Sequence, residues 1–266
     1  MPNIIGLAAV ARSGKDTVAS MLLEHPGVAA YALADPLKAG CQALFGLTDE
    51  QAWSDDLKEK TIQLWGLSPR QMFQRMGTEW LRDHNPDHWL LRADRQLNHP
   101  NIDTRPPLPE DLTSPSSSIR LAVQMIWGLS YEQVWQSDRR DQPDAFWSMT
   151  PNEMFSILST YVHRDFPGHG VTRAQLPVTP CTAKSLDTTG KHTFVIKDIR
   201  YENEASFWRG HCGVIWHITR DIAMKVHSHS SELGIKVGTS DLLIENNGTI
   251  EELRKKVDDA WGSLPH

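Results

Sequence analysis

The chain is poor in the residues that mark secreted, metal-built or membrane proteins. Cysteine occurs three times in 266 residues, at Cys41, Cys181 and Cys212, an odd number without metal-ligand spacing. A disulfide framework is therefore excluded, and a reducing, cytoplasmic setting is expected. Apolar runs are short, and none approaches the roughly 20 residues of a membrane-crossing helix. The N-terminal stretch lacks the basic segment of a signal peptide. Positive charge is not in excess, with 27 Lys and Arg against 33 Asp and Glu and a formal net charge of -6. That balance argues against a nucleic-acid polymer as partner, while leaving room for a local basic pocket that takes a small phosphate ester. Tyrosine is scarce at 4, yet tryptophan reaches 10, which predicts large aromatic anchors in a core or an interface.

What is present begins with LAAVARSGKDTVASML, residues 7–22. Ile4–Val10 reads as a short strand buried on both faces, and Val18, Met21 and Leu22 share one face of a following helix. The turn between them holds Gly14 and Lys15 where the phosphate loop G-x-x-x-x-G-K-[S/T] has them, with Ala9 for its first glycine and Asp16-Thr17 at its end. The chemistry survives those departures. Gly14 lets the backbone turn its N–H groups inward, and the helix start adds the positive end of its dipole. Lys15 can reach the β- and γ-phosphates. Asp16 can hold Mg²⁺ through water or orient an acceptor, and Thr17 can bond an α-phosphate oxygen. The alternative is a plain strand–turn–helix in which Ser13 or Asp16 caps the helix.

Further along, Tyr31–Lys38 closes a second strand and opens a helix with Pro36 in its first turn. His192–Lys197 reads as a strand running into Asp198, Arg200 and Glu204, and strand ends of an α/β sheet face the ligand crevice. Gly213–Thr219 is another buried strand, followed by Arg220. Asp241–Glu245 reads as a strand before an Asn-Gly turn and a helix capped by Thr249, with Glu252 three residues on. Zinc is not expected at His217, His227 and His229, which lack a Cys pair and the helical His spacing. Residues 98–118 are rich in Pro, Ser and Asn, and 166–191 are similarly irregular, so both read as connections.

An internal repeat dominates the middle. Residues 47–83 align without gaps on 129–165, and Trp53/Trp135, Trp65/Trp147, Pro69/Pro151, Met72/Met154, Phe73/Phe155 and Asp83/Asp165 coincide. Each Ser/Thr-Pro, at 68–69 and 150–151, predicts a helix start. Arg70, Gly77 and Glu79 become Asn152, Ser159 and Tyr161, so the second copy keeps its packing positions and loses its polar ones. A packing role is predicted for it, either against the first copy or across a homodimer interface.

ARSGKDT resembles the variant phosphate loop of phage deoxynucleoside monophosphate kinases and, more distantly, that of phosphomevalonate kinases. SPRQMFQRMGTEWLRDHNPDHWL (68–90) resembles the substrate segment of the former. Asp198-x-Arg200 with Glu204 is similar to their Asp-x-Arg and later acid, and His229, Ser231 and Glu232 to their His-x-Ser/Thr-Glu segment. The resemblance covers residues 1–97 and about 192–262. It implies an α/β fold, a P-loop kinase core with a parallel sheet flanked by helices, plus an inserted helical unit. Residues 1–97 would form the P-loop and substrate-binding part, 98–191 the linker and helical duplicate, and 192–266 the remaining core with a lid-like segment and a C-terminal helix.

The implied reaction moves the γ-phosphate of ATP to a dNMP, giving dNDP, with Mg²⁺ near Asp16 and Thr17. Arg12, Ser13, Gly14, Lys15, Asp16, Thr17 and Arg220 would bind ATP, with Lys225 as another candidate. Lys38, Arg70, Gly77, Thr78, Trp89, Asp198, Arg200 and Glu204 would bind the monophosphate, Trp89 by stacking on the base. Catalysis would be alignment and charge neutralisation by Arg12, Lys15, Asp16, Asp198 and Arg200. The location would be the host cytoplasm for a phage-encoded chain. Two other readings stay open: a kinase of another small phosphorylated metabolite, of the dephospho-coenzyme A or phosphomevalonate type, and a non-catalytic ATP-binding module.

Overall fold

The computed structural model describes residues 3–10, 12–99, 103, 105–180, 186, 188–221 and 235–264. The chain folds as two compact units, Met1–Leu33 with Leu186–His266, and Ala34–Ser185.

The first unit is a five-stranded sheet in the order β2-β3-β1-β4-β5, formed by β1 (Asn3–Ala9), β2 (Val28–Ala32), β3 (Thr193–Ile199), β4 (Val214–Thr219) and β5 (Leu242–Glu245). Every neighbouring pair is parallel. Parallel strands need crossovers: helix α1 (Lys15–Leu22) lies in the one between β1 and β2 and α10 (Glu202–Gly210) in the one between β3 and β4, while α11 (Ile250–Gly262) follows the last strand and packs back on the sheet. Ile5 and Leu7 of β1 enter one core layer with Val18 and Leu22 of α1 and Leu253 and Val257 of α11. Helix α10 packs on β1 and β4, with Trp208 fully buried. The expected cap of α11 is present as a reciprocal pair: Glu252 N–H donates to Thr249 Oγ1 and Thr249 N–H to Glu252 Oε2.

A buried charge cluster ties α10 to β4 and to the chain before β5. Asp241 accepts from Arg209 Nη2 at 2.6 Å, from His217 Nε2 at 2.8 Å and from the Gly238 N–H at 2.6 Å. Burial alone would raise the Asp241 carboxyl, but these donors lower it to about 2. His217 is held in this cluster by its bond to Asp241, while His227 and His229 lie outside the described residues.

The second unit is helical: α2 (Asp35–Phe45), α3 (Asp49–Trp53), α4 (Pro69–Gln74), α5 (His88–Asn98), α6 (Ser117–Trp127), α7 (Tyr131–Trp135), α8 (Pro151–Asp165) and α9 (His169–Arg173). The repeat is visible bond by bond. Ile62 and Leu67 form an antiparallel bridge, and so do Asp144 and Met149. Trp53 Nε1 donates to Gln42, and Trp135 Nε1 to Gln124, both at 2.9 Å. Ser68 and Thr150 cap their helices with the same reciprocal box, each followed by proline.

The structure extends the repeat in both directions. Helices α2 and α6 occupy equivalent places, each ending on a left-handed glycine, Gly46 (φ 66°) and Gly128 (φ 63°). At the far end, Pro86-x-His88-x-x-x-Arg92-Ala93 and Pro167-x-His169-x-x-x-Arg173-Ala174 are equivalent after a one-residue gap. These segments are exchanged between the copies. His169 donates to the Leu44 carbonyl and Arg173 to that of Ala43, at the end of α2. His88 bonds the Ile126 carbonyl and Arg92 that of Met125, at the end of α6. Trp65 and Trp147 then donate to Phe45 and Trp127 within their own copies. A helix leaves its last carbonyls without internal partners, and a cation near that end also meets the negative pole of the dipole. Each copy thus completes the other's helix, and α2 packs directly along α6. Of the two packing roles predicted, packing against the first copy is seen within the chain. Helix α9 lies inside a stretch that reads as irregular, because five residues are too few for a periodic signal and Gly168 and Gly170 resemble loop residues.

Arg95 and Asp144 form the polar centre of this unit. Their side chains are 5% exposed and meet through two parallel hydrogen bonds of 2.8 and 2.7 Å. Asp144 also accepts from Gln133 and from the N–H groups of Phe146 and Trp147, while Arg95 Nε donates to the Gly128 carbonyl. Removing one partner strands the other charge, so Arg95→Ala is expected to cost about 3–5 kcal/mol in denaturant unfolding. Arg105→Ala, which breaks an exposed pair with Asp103, should cost under about 1 kcal/mol.

His88 gives the unit a pH dependence. Burial first, then nearby Arg92, lowers its pKa from 6.5 to about 3, against the opposing Ile126 bond. Between those values only the unfolded chain takes the proton, so stability falls as pH falls below 6.5, by about 1.4 kcal/mol per pH unit for this group. Urea midpoints at pH 7 and pH 5 should show that fall, and His88→Gln should lessen it.

Candidate active site

Because all five strands run parallel, their carboxyl ends share one edge of the sheet. The turn holding Arg12–Gly14 leaves β1 there, Arg200 follows β3, Arg220 follows β4 and Asn246 follows β5. Asp198 lies inside β3, and its side chain is outside the described residues, as are Lys225, His229, Ser231 and Glu232. Arg200 and Arg220 are exposed.

The turn after β1 is held in a special conformation. Arg12 takes φ 66° and Gly14 φ 94°, two left-handed residues around a buried Ser13. Alternation of this kind folds successive backbone N–H groups toward one side, the arrangement that cups an anion. Ser13 closes the turn from inside: its Oγ and its N–H both donate to the Val10 carbonyl, at 2.7 and 3.3 Å. Helix α1 then starts at Lys15, with Gly14 as its N-cap and no side-chain cap. The alternative reading, in which Ser13 or Asp16 caps the helix, is not what is seen: the helix has a bare glycine start. Lys15 and Thr17 are half-buried and Asp16 is exposed.

A residue that the sequence marks only as part of the Asn-Gly turn, which the family resemblance sets near the adenine of ATP, completes the turn after β1. Asn246 donates from Nδ2 to the Ser13 carbonyl at 2.8 Å, and a Cβ at Gly14 would lie 2.2 Å from that same nitrogen. The signal available was the Asn246-Asn247-Gly248 run directly after the last strand, which reads only as a turn. Glu204, by contrast, is drawn into structure. It is 2% exposed, and its Oε2 accepts the N–H groups of Arg200 and Tyr201 at 2.8 and 3.3 Å, fixing the start of α10 behind Arg200.

The remaining predicted residues belong to the second unit. After α4 the helix continues as a π-helical stretch over Arg75–Arg82, which contains Gly77 and Thr78. The equivalent part of α8 is regular α-helix. Gly77 is buried, and a Cβ there would come 2.8 Å from Leu37. Thr78 and Glu79 are exposed. Trp89 is 4% exposed and donates its indole N–H to the Gly77 carbonyl at 3.0 Å, so it backs the π-helical turn. A base stacked on Trp89 would need an open ring face, which this placement does not offer. Arg70 pairs with Glu59, and Asn152 makes the same link to Asp141 at 2.8 Å in the second copy. Lys38 lies 4.8 Å from the Trp53 ring centre.

The turn at Arg12–Gly14 makes opposite predictions for two neighbouring changes. Gly14→Ala adds a Cβ to a left-handed residue and drives it into Asn246, so it should destabilise by at least about 1–2 kcal/mol. Arg12→Gly relieves a left-handed non-glycine residue and should be neutral or stabilising by up to about 1 kcal/mol. Denaturant unfolding of both variants checks the pair.

Residues 178–257 match the family model described as deoxynucleotide monophosphate kinase. The chain is also 43% identical over 83 residues to a protein of Acanthamoeba polyphaga mimivirus described as "Putative deoxynucleotide monophosphate kinase". That alignment covers 30% of this chain and 43% of the relative, so the match spans less than half of the relative's length. Over residues 178–257, which carry β3, α10, β4, β5 and most of α11, the chain is similar to the deoxynucleotide monophosphate kinase family.

Proposed function

We propose that the protein is a deoxynucleoside monophosphate kinase, which transfers the γ-phosphate of ATP to a dNMP and releases ADP and dNDP. The observation that carries this reading is the left-handed turn of Arg12, Ser13 and Gly14 leading into Lys15 at the carboxyl edge of a parallel sheet. The likeness of residues 178–257 to a nucleotide kinase family supports it from an independent part of the chain.

In this reading the turn and the first N–H groups of α1 receive the ATP phosphates, and Lys15 neutralises charge on the β- and γ-oxygens. Arg12, Arg200 and Arg220 add positive charge along the same edge, and Asp198 orients the acceptor. Glu204 is a positioning residue: by holding the N–H groups of Arg200 and Tyr201 it fixes where the guanidinium starts from. The acceptor oxygen belongs to a phosphate that is already ionised near pH 7, so no strong base is needed. Alignment and charge neutralisation suffice.

The donor set near Gly14 fits Mg²⁺. Asp16 offers an exposed carboxylate and Thr17 a hydroxyl, both hard oxygens, and the described residues hold no group of three or more His, Cys, Asp or Glu arranged for a metal ion. Such a set suits an ion that keeps several waters and takes further ligands from phosphates. When bound, the ion would supply charge neutralisation on the triphosphate. For the dNMP, we assign Lys38, Arg70, Gly77 and Thr78, with Trp89 supporting Gly77 from behind rather than stacking on the base. The π-helical stretch present only in the first copy is the reason for preferring that copy, since such local irregularities recur at functional positions.

A coupled ADP-release assay with dAMP, dCMP, dGMP and dTMP tests the reading. ADP release should require a dNMP, and its absence with all four would overturn the proposal. Lys15→Ala should lower kcat/KM by about 10²–10³-fold with the unfolding midpoint unchanged. Gly77→Ser, which installs the second copy's residue against Leu37, should raise the KM for dNMP while the KM for ATP stays constant.

A further inference from the structure

The phosphate-side turn is gripped from the far end of the chain. Asn246 reaches across 233 residues of sequence to hold the Ser13 carbonyl at 2.8 Å in a buried contact. A trans peptide is planar, with its N–H pointing opposite to its C=O. Whatever fixes the Ser13 carbonyl therefore also fixes the direction of the Gly14 N–H, in the middle of the turn.

The grip is itself rigid. The Asn246 N–H donates to the Thr219 carbonyl at 2.8 Å, continuing the β4–β5 pairing one residue past Thr219 and Glu245. Its neighbour Asn247 accepts the Asp221 N–H at 2.9 Å, just after Arg220. The missing side chain of Gly14 leaves the space that the Asn246 amide fills. Donor, acceptor and space are matched on both sides.

We propose that Asn246 is a positioning residue for the ATP phosphates: its amide sets the orientation of the Ser13–Gly14 peptide, and with it the affinity for ATP but not for the dNMP. The inference rests on the kinase reading above. Asn246→Ala removes the donor without adding charge, and should weaken MgATP binding about tenfold by calorimetry, the worth of one hydrogen bond near the upper end of its usual range. Asn246→Asp keeps the shape but turns a carboxylate toward the Ser13 carbonyl, and should weaken it further. For both variants the KM for dNMP should stay within about twofold of the parent value, a split that general loosening of the fold would not give. Unchanged ATP affinity in both variants, or a parallel rise in the two KM values, overturns the proposal.

A measurement on the unaltered protein covers variants that fail to fold. The side-chain amide resonances of Asn246 should shift on titration with MgATP and stay in place with dNMP alone, and the absence of an ATP-induced shift would count against the proposal. If the parent protein binds no MgATP, the kinase reading falls and this inference falls with it. If the parent binds and the variants bind equally, the inference alone is wrong.

Discussion

Parallel pairing obliges every strand of a sheet to finish on the same edge, and the chemistry of the first unit follows from that constraint. The turn after β1, Arg200 after β3, Arg220 after β4 and Asn246 after β5 come from sequence positions far apart, yet share one rim. The edge is also where backbone groups stop pairing with neighbouring strands. Ser13, Glu204 and Asn246 meet that need by bonding backbone groups of the turn and of the α10 start. Polar residues near the site thus divide into those that shape the backbone and those left exposed, such as Arg200 and Arg220.

The second unit solves a related problem at helix ends. Two helices packed along each other must bury their carboxyl termini, where carbonyls lack internal partners. Here a histidine, an arginine and a tryptophan serve each terminus, and the first two come from the opposite copy. A donor in a buried site must be neutral or paired, and both histidines are held below their usual pKa by burial. The exchange makes the duplicate a structural part of the copy that carries Lys38, Gly77 and Thr78, because α2 of that copy ends against His169 and Arg173.

The duplication also works as an internal control. Both copies keep the bridge, the capping box and the tryptophan bonds, so these belong to the scaffold. The side-chain link of Arg70 to Glu59 has its counterpart in Asn152 and Asp141, which gives Arg70 a share in that scaffold. What differs is the π-helical stretch over Arg75–Arg82 with Trp89 behind it, where the second copy has regular helix and Gly170. Difference against an otherwise repeated background isolates that segment better than its residue types do.

Much of this was legible in the sequence because it depends on short-range rules. Short apolar runs marked the strands, Ser/Thr-Pro marked the helix starts at 68 and 150, and Thr249 with Glu252 marked the last helix. Gly14 and Lys15 marked the turn, since only glycine takes a φ of 94° without strain. Tertiary structure decided the rest. The exchanged His and Arg caps escaped because a one-residue gap hides the repeat of Pro-x-His-x-x-x-Arg-Ala, and because capping partners so far along the chain, 33 residues for Arg92 and 130 for Arg173, leave no local pattern. Trp89 could be read as a ring for a base or a ring for a core, and only packing placed it at 4% exposure against Gly77. Asn246 looked like part of a turn, and its bond to Ser13 exists because parallel pairing brings the ends of β1 and β5 to one edge. Sequence determined the elements and their caps, which are set within a few residues; long-range pairing decided which side chains hold the site.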